Sequence, residues 1–253
     1  MAVIKLEEVT IAYQKQTVLK NVNLNIEKGL ITTFLGPNGS GKTSLMSSIN
    51  STLKPVHGKI YIDGKDIGKL KAKNLSKIVA TVPQLYNSHF NYSVFDMVLL
   101  GRSPHIGYMP KKEDDLKVEE AISHIGIEHL KNKEFNRLSG GERQMVMIAR
   151  AIAQDTQVIL LDEPTSYLDL KNQLKVLSMV KEINRLKKVT CIMTLHDPNH
   201  ALMYSDKIVM FHNGTVETGT IDSMINAKNI FDVYGVKAEV MNINDKRYVI
   251  SDY

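Results

Sequence analysis

The segment Gly36–Thr43, GPNGSGKT, carries residue types that bind phosphate groups. It fits the pattern G-x-x-x-x-G-K-[ST] between an apolar strand and a helical pattern, which is the context that this pattern requires. Its glycines let backbone N–H groups turn toward one anion, Lys42 would reach the β- and γ-phosphates of a nucleotide, and the Thr43 hydroxyl would bind Mg²⁺. The predicted contacts of this first glycine loop are Gly36, Pro37, Asn38, Gly39, Ser40, Gly41, Lys42, Thr43 and Ser44. The alternative interpretation is a glycine-rich turn with an incidental lysine.

A second group of reactive side chains follows two apolar strands. Asp162 and Glu163 follow Gln157–Leu161, and because buried acids need a partner cation, Asp162 is predicted to bind Mg²⁺. Glu163 would then serve as a general base toward water. His196 follows Val189–Leu195, where a neutral imidazole could donate to a γ-phosphate. The alternatives are an acidic junction between strand and turn, and a surface histidine.

A second glycine loop, Leu138–Glu142, precedes a helical pattern. Ser139 and Glu142 have the spacing of a capping box, which accounts for those two residues. Gly140 and Gly141 are not needed for a cap, and each costs up to about 1 kcal/mol relative to alanine in a helix. Bare backbone at a helix start suits an approaching anion. The two interpretations are compatible, and a second phosphate site indicates a second copy of the domain.

Composition limits the class of protein. The chain has 253 residues, 43% of them hydrophobic, and a net charge of +5. This predicts one large α/β domain, or one with an insertion, and the mild charge does not by itself indicate nucleic-acid binding. We find no run of about 20 apolar residues that would span a bilayer. Cys191, the one cysteine in the sequence, lies in an apolar run and is predicted to be a buried thiol in a reducing compartment.

Strand and helix patterns alternate along most of the chain, which predicts a largely parallel sheet with ligands at the carboxyl ends of its strands. The predicted strands are Val3–Ala12, Val18–Ile26, Leu30–Leu35, Lys59–Ile62, Gln157–Leu161, Val189–Leu195 and Lys207–Phe211. The predicted helices are one that begins near Gly41 and Val94–Leu100, Lys112–Ile125, Glu142–Ala153, Leu170–Leu186 and Ile221–Val233. Hairpins are predicted at Asn213-Gly214 and between Ala238–Met241 and Arg247–Ile250.

The segment Leu138–Gln144, LSGGERQ, resembles the signature motif of the ATP-binding cassette (ABC) ATPases, and the resemblance extends over essentially the whole chain. It implies that Tyr13 stacks on adenine and that Gln84 senses Mg²⁺ and water and links to a membrane subunit. It also implies that His196 is the switch histidine and that Ser166–Asp169 is the loop that crosses a dimer interface. Asp169 is therefore included among the expected nucleotide-site residues, with Ser139, Gly140 and Gly141.

The resemblance implies a P-loop NTPase core with a mostly parallel sheet, an N-terminal antiparallel β subdomain and an inserted α-helical subdomain. The expected division is a catalytic core of residues 1–87 and 156–253 and a helical signature subdomain of residues 88–155. ATP and Mg²⁺ are the expected cofactors, with Lys42, Gln84, Glu163 and His196 as catalytic residues and Thr43, Gln84 and Asp162 as metal ligands. Two copies would form a head-to-tail dimer around ATP.

Residues 93–108, 194–202 and 234–250 resemble the importer ATPases for iron-siderophore, haem and cobalamin. The expected function is ATP hydrolysis that powers uptake through a separate membrane-embedded permease, with an extracytoplasmic substrate-binding protein in the same system. The subunit would then lie in the cytoplasm on the inner face of the cell membrane, and no nucleic-acid partner is expected.

Three alternatives remain at this point. One is an importer ATPase for another cargo such as molybdate. Another is a soluble ABC ATPase that acts on nucleic acid, ribosomes or cofactor assembly. A GTPase is the third, although the chain has no Asn-Lys-x-Asp segment and such a protein would not need LSGGERQ.

Overall fold

The computed structural model describes residues 2–14, 16–84, 86, 90–244 and 246–251. The chain divides into two compact units, one formed by Met1–Leu70 with Thr190–Tyr253 and the other by Lys71–Val189. The predicted boundary between residues 87 and 88 lies outside the described residues, and the predicted domain limits stay a prediction.

Strands and helices alternate along both units. The strands are β1 (Ala2–Tyr13), β2 (Gln16–Glu27), β3 (Ile31–Leu35), β4 (His57–Ile62), β5 (Lys65–Asp66), β6 (Val79–Val82), β7 (Val158–Leu161), β8 (Thr190–Leu195), β9 (Lys207–His212), β10 (Thr215–Thr220), β11 (Ala238–Ile243) and β12 (Lys246–Ser251). The helices are α1 (Lys42–Ile49), α2 (Ala72–Leu75), α3 (Val94–Leu99), α4 (Lys112–Ile125), α5 (Gly140–Ala153), α6 (Leu170–Lys187), α7 (Pro198–Tyr204), α8 (Ile221–Met224) and α9 (Ala227–Tyr234). Short 3₁₀ helices lie at Ile67–Lys69, Leu100–Arg102, Glu128–Leu130 and Phe135–Arg137.

The first unit contains an antiparallel sheet and a set of parallel strands. Strands β2, β1, β4 and β5 form the antiparallel sheet in that order. Strand β3 pairs in parallel with both β8 and β9, and β10 returns antiparallel to β9 through the predicted Asn213-Gly214 turn. All residues of β3 and β8 are buried, as expected for parallel strands that are covered on both faces.

The second unit is mostly helical around one parallel strand pair. Helix α5 packs against α3, α4 and α6, and strands β6 and β7 run in parallel. A buried ion pair joins Arg102 Nε to Asp114 Oδ1 at 3.0 Å, and Arg102 also donates to the carbonyl of Ala153 at the end of α5. The backbone N–H of Lys111 and the Arg102 guanidinium hold the pKa of the Asp114 carboxyl below its usual range. This network fixes the far end of the helix that begins in the second glycine loop.

The predicted fold class is confirmed, with differences in local detail. The predicted helix Ile221–Val233 is wrong as one element, because the chain forms two helices, α8 and α9. Thr220 caps the first, and the Asn226 side chain caps the second by accepting from the N–H of Asn229. Asparagine favours helix starts over helix interiors because its side chain competes for backbone groups. Strands β5 and β6 and helices α2 and α7 were not predicted.

Two further predictions concern burial. Cys191 is a buried thiol, as predicted, and burial raises its pKa to about 12. Within the described residues, none of the helices is both long and apolar enough to span a membrane.

Candidate nucleotide-binding site

The first glycine loop connects β3 to α1 and is held tightly by its neighbours. Gly36 has a φ of +156°, and a Cβ atom there would lie 2.8 Å from the carbonyl oxygen of Phe211. At Gly41 the φ is +101°, and a Cβ would lie 2.9 Å from Leu19 Cγ. Both positions combine a strained backbone with no room for a side chain, so the loop requires glycine there.

Lys42 occupies the interior of this loop. Its side chain is buried, with 5% exposure, and Nζ donates to the carbonyl oxygens of Gly36 at 2.7 Å and Pro37 at 2.8 Å. Ser40 Oγ is covered and has no hydrogen-bond partner among the described residues. A loop with a buried cation and an unpartnered hydroxyl fits an oxyanion ligand such as a nucleotide phosphate, because such a ligand would pair with the charge and accept from the hydroxyl.

Tyr13 lies at the end of β1, beside the helix that follows the first glycine loop. Its hydroxyl is 3.2 Å from Ser44 Oγ, and half of its surface is exposed. An exposed aromatic ring next to the phosphate loop is well placed to stack on a base, which is the role that the resemblance implies for Tyr13. Thr43 is exposed in the first turn of α1, where its hydroxyl is accessible to a ligand.

His196 and the first glycine loop follow the ends of two neighbouring parallel strands of the first unit. Strands β3 and β8 are parallel, and Leu35 pairs with Leu195 as the last residue of each strand. Gly36 and His196 are therefore the next residues at neighbouring carboxyl ends. His196 is exposed, so its imidazole is accessible beside the loop, as its position after an apolar strand predicts.

The second unit brings Gln84, Asp162 and Glu163 together. Strands β6 and β7 are parallel with Val82 opposite Leu161, and the N–H of Asp162 donates to the Val82 carbonyl at 2.9 Å. Gln84 Nε2 donates to Glu163 Oε2 at 2.5 Å. Glu163 has a φ of +46°, a strained conformation of the kind found at functional sites.

Ser166 is a further candidate site residue, which was named from the sequence only as part of the segment Ser166–Asp169. Its hydroxyl donates to Glu163 Oε2 at 2.6 Å, so Gln84 and Ser166 both bind the same carboxylate oxygen. The signal that could have identified it is a serine three residues after the predicted base, where a tight turn returns the side chain. Asp169, three residues further on, caps α6 by accepting from the N–H of Asn172 at 2.8 Å.

The second glycine loop begins α5 with the predicted capping box. The N–H and hydroxyl of Ser139 donate to Glu142 Oε2 at 2.8 and 2.7 Å, and the N–H of Glu142 donates to Ser139 Oγ at 3.4 Å. These two donors lower the pKa of the Glu142 carboxyl. The cap therefore satisfies donors that would otherwise be unpaired at the start of the helix.

The two glycines of this loop lie in different surroundings. Gly141 is buried, and a Cβ atom there would lie 2.8 Å from Asn172 Cγ, so close packing accounts for this glycine. Gly140 is exposed, and the nearest atom to its Cβ position is Leu168 Cδ2 at 3.9 Å. Packing therefore does not require glycine at position 140. Of the two glycines, Gly140 is the one whose exposed backbone an anion could approach, as the sequence predicts.

The predicted metal ligands suit Mg²⁺ by the chemistry of their donor atoms. Thr43 supplies a hydroxyl and is exposed, whereas Asp162 supplies a carboxylate and is half-buried. Gln84 directs its amide nitrogen to Glu163, which leaves its carbonyl oxygen as the possible ligand. In residues 2–14, 16–84, 86, 90–244 and 246–251, no cluster of three or more His, Cys, Asp or Glu forms a metal cage.

Comparison with known proteins agrees with these features. The sequence family described as ABC transporter matches residues 19–166. An uncharacterized ABC transporter ATP-binding protein of Methanocaldococcus jannaschii is 39% identical over 96% of this chain and 95% of its own length. The achromobactin transport ATP-binding protein of Dickeya dadantii is 37% identical over 85% of this chain and 81% of its own. The ferric enterobactin transport ATP-binding protein of Escherichia coli is 33% identical over 93% and 88%.

Solved structures give the same result. A chain of an inward-facing ABC transporter assigned to the metal-chelate type is 30% identical, with a TM-score of 0.88 over 100% of this chain and 98% of that chain. A dimeric ATP-binding cassette bound to ADP and Pi is 31% identical, with a TM-score of 0.76 over 86% of this chain and 98% of that chain. The chain described here therefore belongs to the ATP-binding subunits of the ABC transporter family, which are ATPases coupled to transport.

Proposed function

We propose that this ATPase powers an importer and hydrolyses ATP with Glu163 as the general base. The observation that carries the proposal is the triad in the second unit, where Gln84 and Ser166 both donate to Glu163 Oε2. These contacts place a carboxylate, an amide and a hydroxyl at the end of β7, directly after the predicted metal ligand Asp162. A carboxylate held at such a strand end can accept a proton from an attacking water.

The first glycine loop binds the triphosphate in this proposal. Lys42 exchanges its two carbonyl partners for phosphate oxygens, and the loop's N–H groups donate to the same anion. His196 donates to the γ-phosphate, and Tyr13 stacks on adenine. Mg²⁺, held by Thr43 and Asp162, would neutralise charge on the phosphates.

The second glycine loop serves the ATP of a second copy. It contains no basic residue, and its serine is already bound to Glu142. Such a loop is suited to complete a phosphate site that another chain has begun. A related cassette forms a dimer with ADP and Pi, which supports a head-to-tail dimer for this chain.

A membrane-embedded permease is the proposed partner of the second unit. Among the strongly exposed apolar side chains of this unit, Tyr108, Met109 and Leu116 lie close together in the sequence. Exposed apolar side chains close in sequence are typical of a protein-binding surface. Through the permease, the subunit would be held at the inner face of the cell membrane, and a substrate-binding protein would deliver cargo from outside.

The proposed cargo is an iron chelate of the siderophore type, with haem and cobalamin as the related alternatives. This proposal draws on the relatives, since two of them are named for achromobactin and ferric enterobactin transport. The cassette itself binds ATP and the permease, so its site residues do not select the cargo.

The variant Glu163→Gln tests the catalytic proposal. It keeps a side chain of the same shape but removes the base, so we expect turnover to fall by about 100-fold or more, while ATP binding persists. ATP should also shift the variant toward the dimer in size-exclusion chromatography, because the bound nucleotide is no longer hydrolysed. Glu182→Gln, at an exposed position of α6, is the matched control and should hydrolyse ATP normally. Normal turnover in Glu163→Gln would contradict the role of Glu163.

A further inference from the structure

Asn199 joins the helix after His196 to the C-terminal hairpin. Asn199 lies in α7, and its side chain binds a single residue of β12 through both ends of the carboxamide. Asn199 Nδ2 donates to the carbonyl of Val249 at 3.1 Å, and the N–H of Val249 donates to Asn199 Oδ1 at 2.8 Å. The side chain thus makes the contacts that a neighbouring strand would make along the edge of β12.

The register of the hairpin shows that Asn199 binds the edge of β12 that faces away from β11. Val249 is opposite Val240 in the antiparallel pair of β11 and β12. Opposed residues either exchange both backbone hydrogen bonds or turn both N–H groups outward. Because Val249 donates to Asn199, this pair is of the second kind, and Val240 directs its N–H to the other edge.

The contact lies close to the predicted switch histidine in the chain. His196 directly follows β8, Asp197 caps α7 by accepting from the N–H of Asn199 at 2.8 Å, and the side chain of Asn199 then reaches β12. Asn199 therefore takes part both in the cap, through its N–H, and in the hairpin contact, through its side chain. Any tilt of α7 would move Asp197 and, with it, the direction in which His196 leaves the sheet.

A second contact from the C-terminal segment reaches the same region. Tyr234 ends α9, and its hydroxyl is covered and makes no hydrogen bond of good geometry among the residues that the structure describes. Burial raises the pKa of the Tyr234 phenol, and the nearby N–H of Gly36 opposes this rise, while Asp197 adds to it. Gly36 of the first glycine loop and Asp197 of the α7 cap thus both influence this phenol.

We propose that Asn199 is a positioning residue for ATP hydrolysis, which orients His196 by fixing α7 to the outer edge of β12. The inference rests on the proposed role of His196 at the γ-phosphate. The hairpin provides a fixed support, because Arg247 of β12 binds Asp222 and donates to the carbonyl of Ile225 at 2.9 Å. The family match ends at residue 166, so this device lies in the part of the chain beyond it.

The first experiment compares two asparagine variants by ATPase kinetics. Asn199→Ala removes the contact with Val249 without changing a group that touches ATP. A misdirected catalytic group can cost about 100-fold in rate, so we expect kcat to fall by about tenfold or more and KM for ATP to change by less than about twofold. Asn184→Ala is the matched control, because it removes a similar bond, from Asn184 Nδ2 to the Val189 carbonyl at 2.7 Å, at the end of α6. It should keep the wild-type kcat.

The second experiment removes the same contact from the other side. Val249→Pro deletes the N–H that donates to Asn199, and proline is tolerated on a strand edge whose N–H points outward. It should lower kcat as Asn199→Ala does, and the double variant should be no slower than either single variant. Val240→Pro removes the N–H of the same residue pair on the opposite edge and should keep the wild-type kcat.

The outcomes separate this inference from the proposed function. An inactive His196→Ala variant together with wild-type kcat in Asn199→Ala would overturn the positioning role alone. Wild-type kcat in His196→Ala would overturn the role of His196 and the inference with it. Equal losses of kcat in Asn199→Ala and Asn184→Ala would show a general loss of folded protein and would also overturn the inference. The variant Asn199→Asp keeps the shape of the side chain but lacks the amide donor to the Val249 carbonyl. A kcat in Asn199→Asp as low as that of Asn199→Ala would support the inference.

Discussion

The two glycine loops differ in what occupies them. In the first, Lys42 is buried and its ammonium group binds two carbonyls of its own loop. In the second, Ser139 is bound to Glu142 and the loop contains no cation. The first loop is closed around a positive charge, whereas the second exposes Gly140 and the start of a capped helix.

Under the proposed function, this difference would give one fold two phosphate sites with separate roles. A loop with its own ammonium can bind a triphosphate by itself, because charge-assisted hydrogen bonds are the strong ones. A capped helix start with one open glycine supplies dipole and backbone donors, each of modest strength. Such a loop would contribute to binding only where another chain has already bound the anion. This agrees with the dimeric ATP-binding cassette to which the chain is similar.

The largest expected effect is on ATPase turnover, when one residue of each glycine loop is replaced and the two variants are then mixed. Lys42→Ala removes the cation of the first loop, and Gly140→Asp places a negative charge in the second. Each alone should lower ATPase turnover by about 100-fold or more, as expected when a donor to the reacting phosphate is lost or opposed. In a mixed head-to-tail dimer, one site contains both intact loops, so the mixture should hydrolyse ATP faster than either variant alone.

Two controls accompany this measurement. Lys20→Ala changes an exposed lysine of the first unit, and Gly107→Asp places the same charge at an open glycine of the second unit. Both should keep normal turnover. If mixing Lys42→Ala with Gly140→Asp gave no gain, the two loops would not serve one site in different chains.

An intermediate effect should separate the glycines within the second loop. Gly141→Ala places a Cβ atom against the end of the Asn172 side chain, which must shift, so we expect a loss of about 1 kcal/mol in the free energy of unfolding, at the low end for overpacking. Gly140→Ala has room for its Cβ and should change stability by less than about 1 kcal/mol in either direction. Thermal or denaturant unfolding measures both.

The double variant Gly141→Ala/Asn172→Ala sharpens this test. It removes the side chain against which the new Cβ would clash, whereas the N–H of Asn172 that binds Asp169 remains. Recovery of most of the lost stability would confirm that packing explains Gly141. Equal destabilisation by Gly140→Ala and Gly141→Ala would argue against the distinction drawn here.

The smallest expected effect is the pH dependence of the capping box. Donation from Ser139 holds the pKa of Glu142 below its ordinary value of 4.5. The stabilisation by this carboxylate is therefore complete above about pH 4.5 and is lost as the pH falls through the lowered pKa of the folded protein. Glu142→Gln should be less stable than the parent by at most about 1 kcal/mol at pH 7, and this gap should be smaller at about pH 3 than at pH 7.

Urea unfolding at both pH values measures this effect, with Glu182→Gln as the control at an exposed position of α6. A gap that stayed constant between the two pH values would mean that the charge of Glu142 contributes nothing to the cap. No comparable titrating cap occurs within the first glycine loop, whose residues 36–43 contain no acid.

Much of the site could be predicted because its signals are local. The glycine pattern around Lys42, the capping box of Ser139 and the acids after β7 each lie within a few residues, and local geometry fixes their form. The split between α8 and α9 was missed because Asn226 acts as a cap only in the folded chain, where its side chain binds Asn229. Helix α7 was missed because its apolar residues at positions 201–204 form one consecutive run without helical spacing.

The amino-acid sequence alone determined the class of chemistry, since the residue types at these spacings suit triphosphate binding and hydrolysis. Only the tertiary structure decided which distant residues act together. Gln84 and Glu163 are 79 residues apart, and Asn199 and Val249 are 50 apart. Such pairs depend on strand register and on packing between elements, and neither is encoded in a local pattern. For the same reason, the sequence presents Gly140 and Gly141 as equivalent, and only packing against Asn172 distinguishes them.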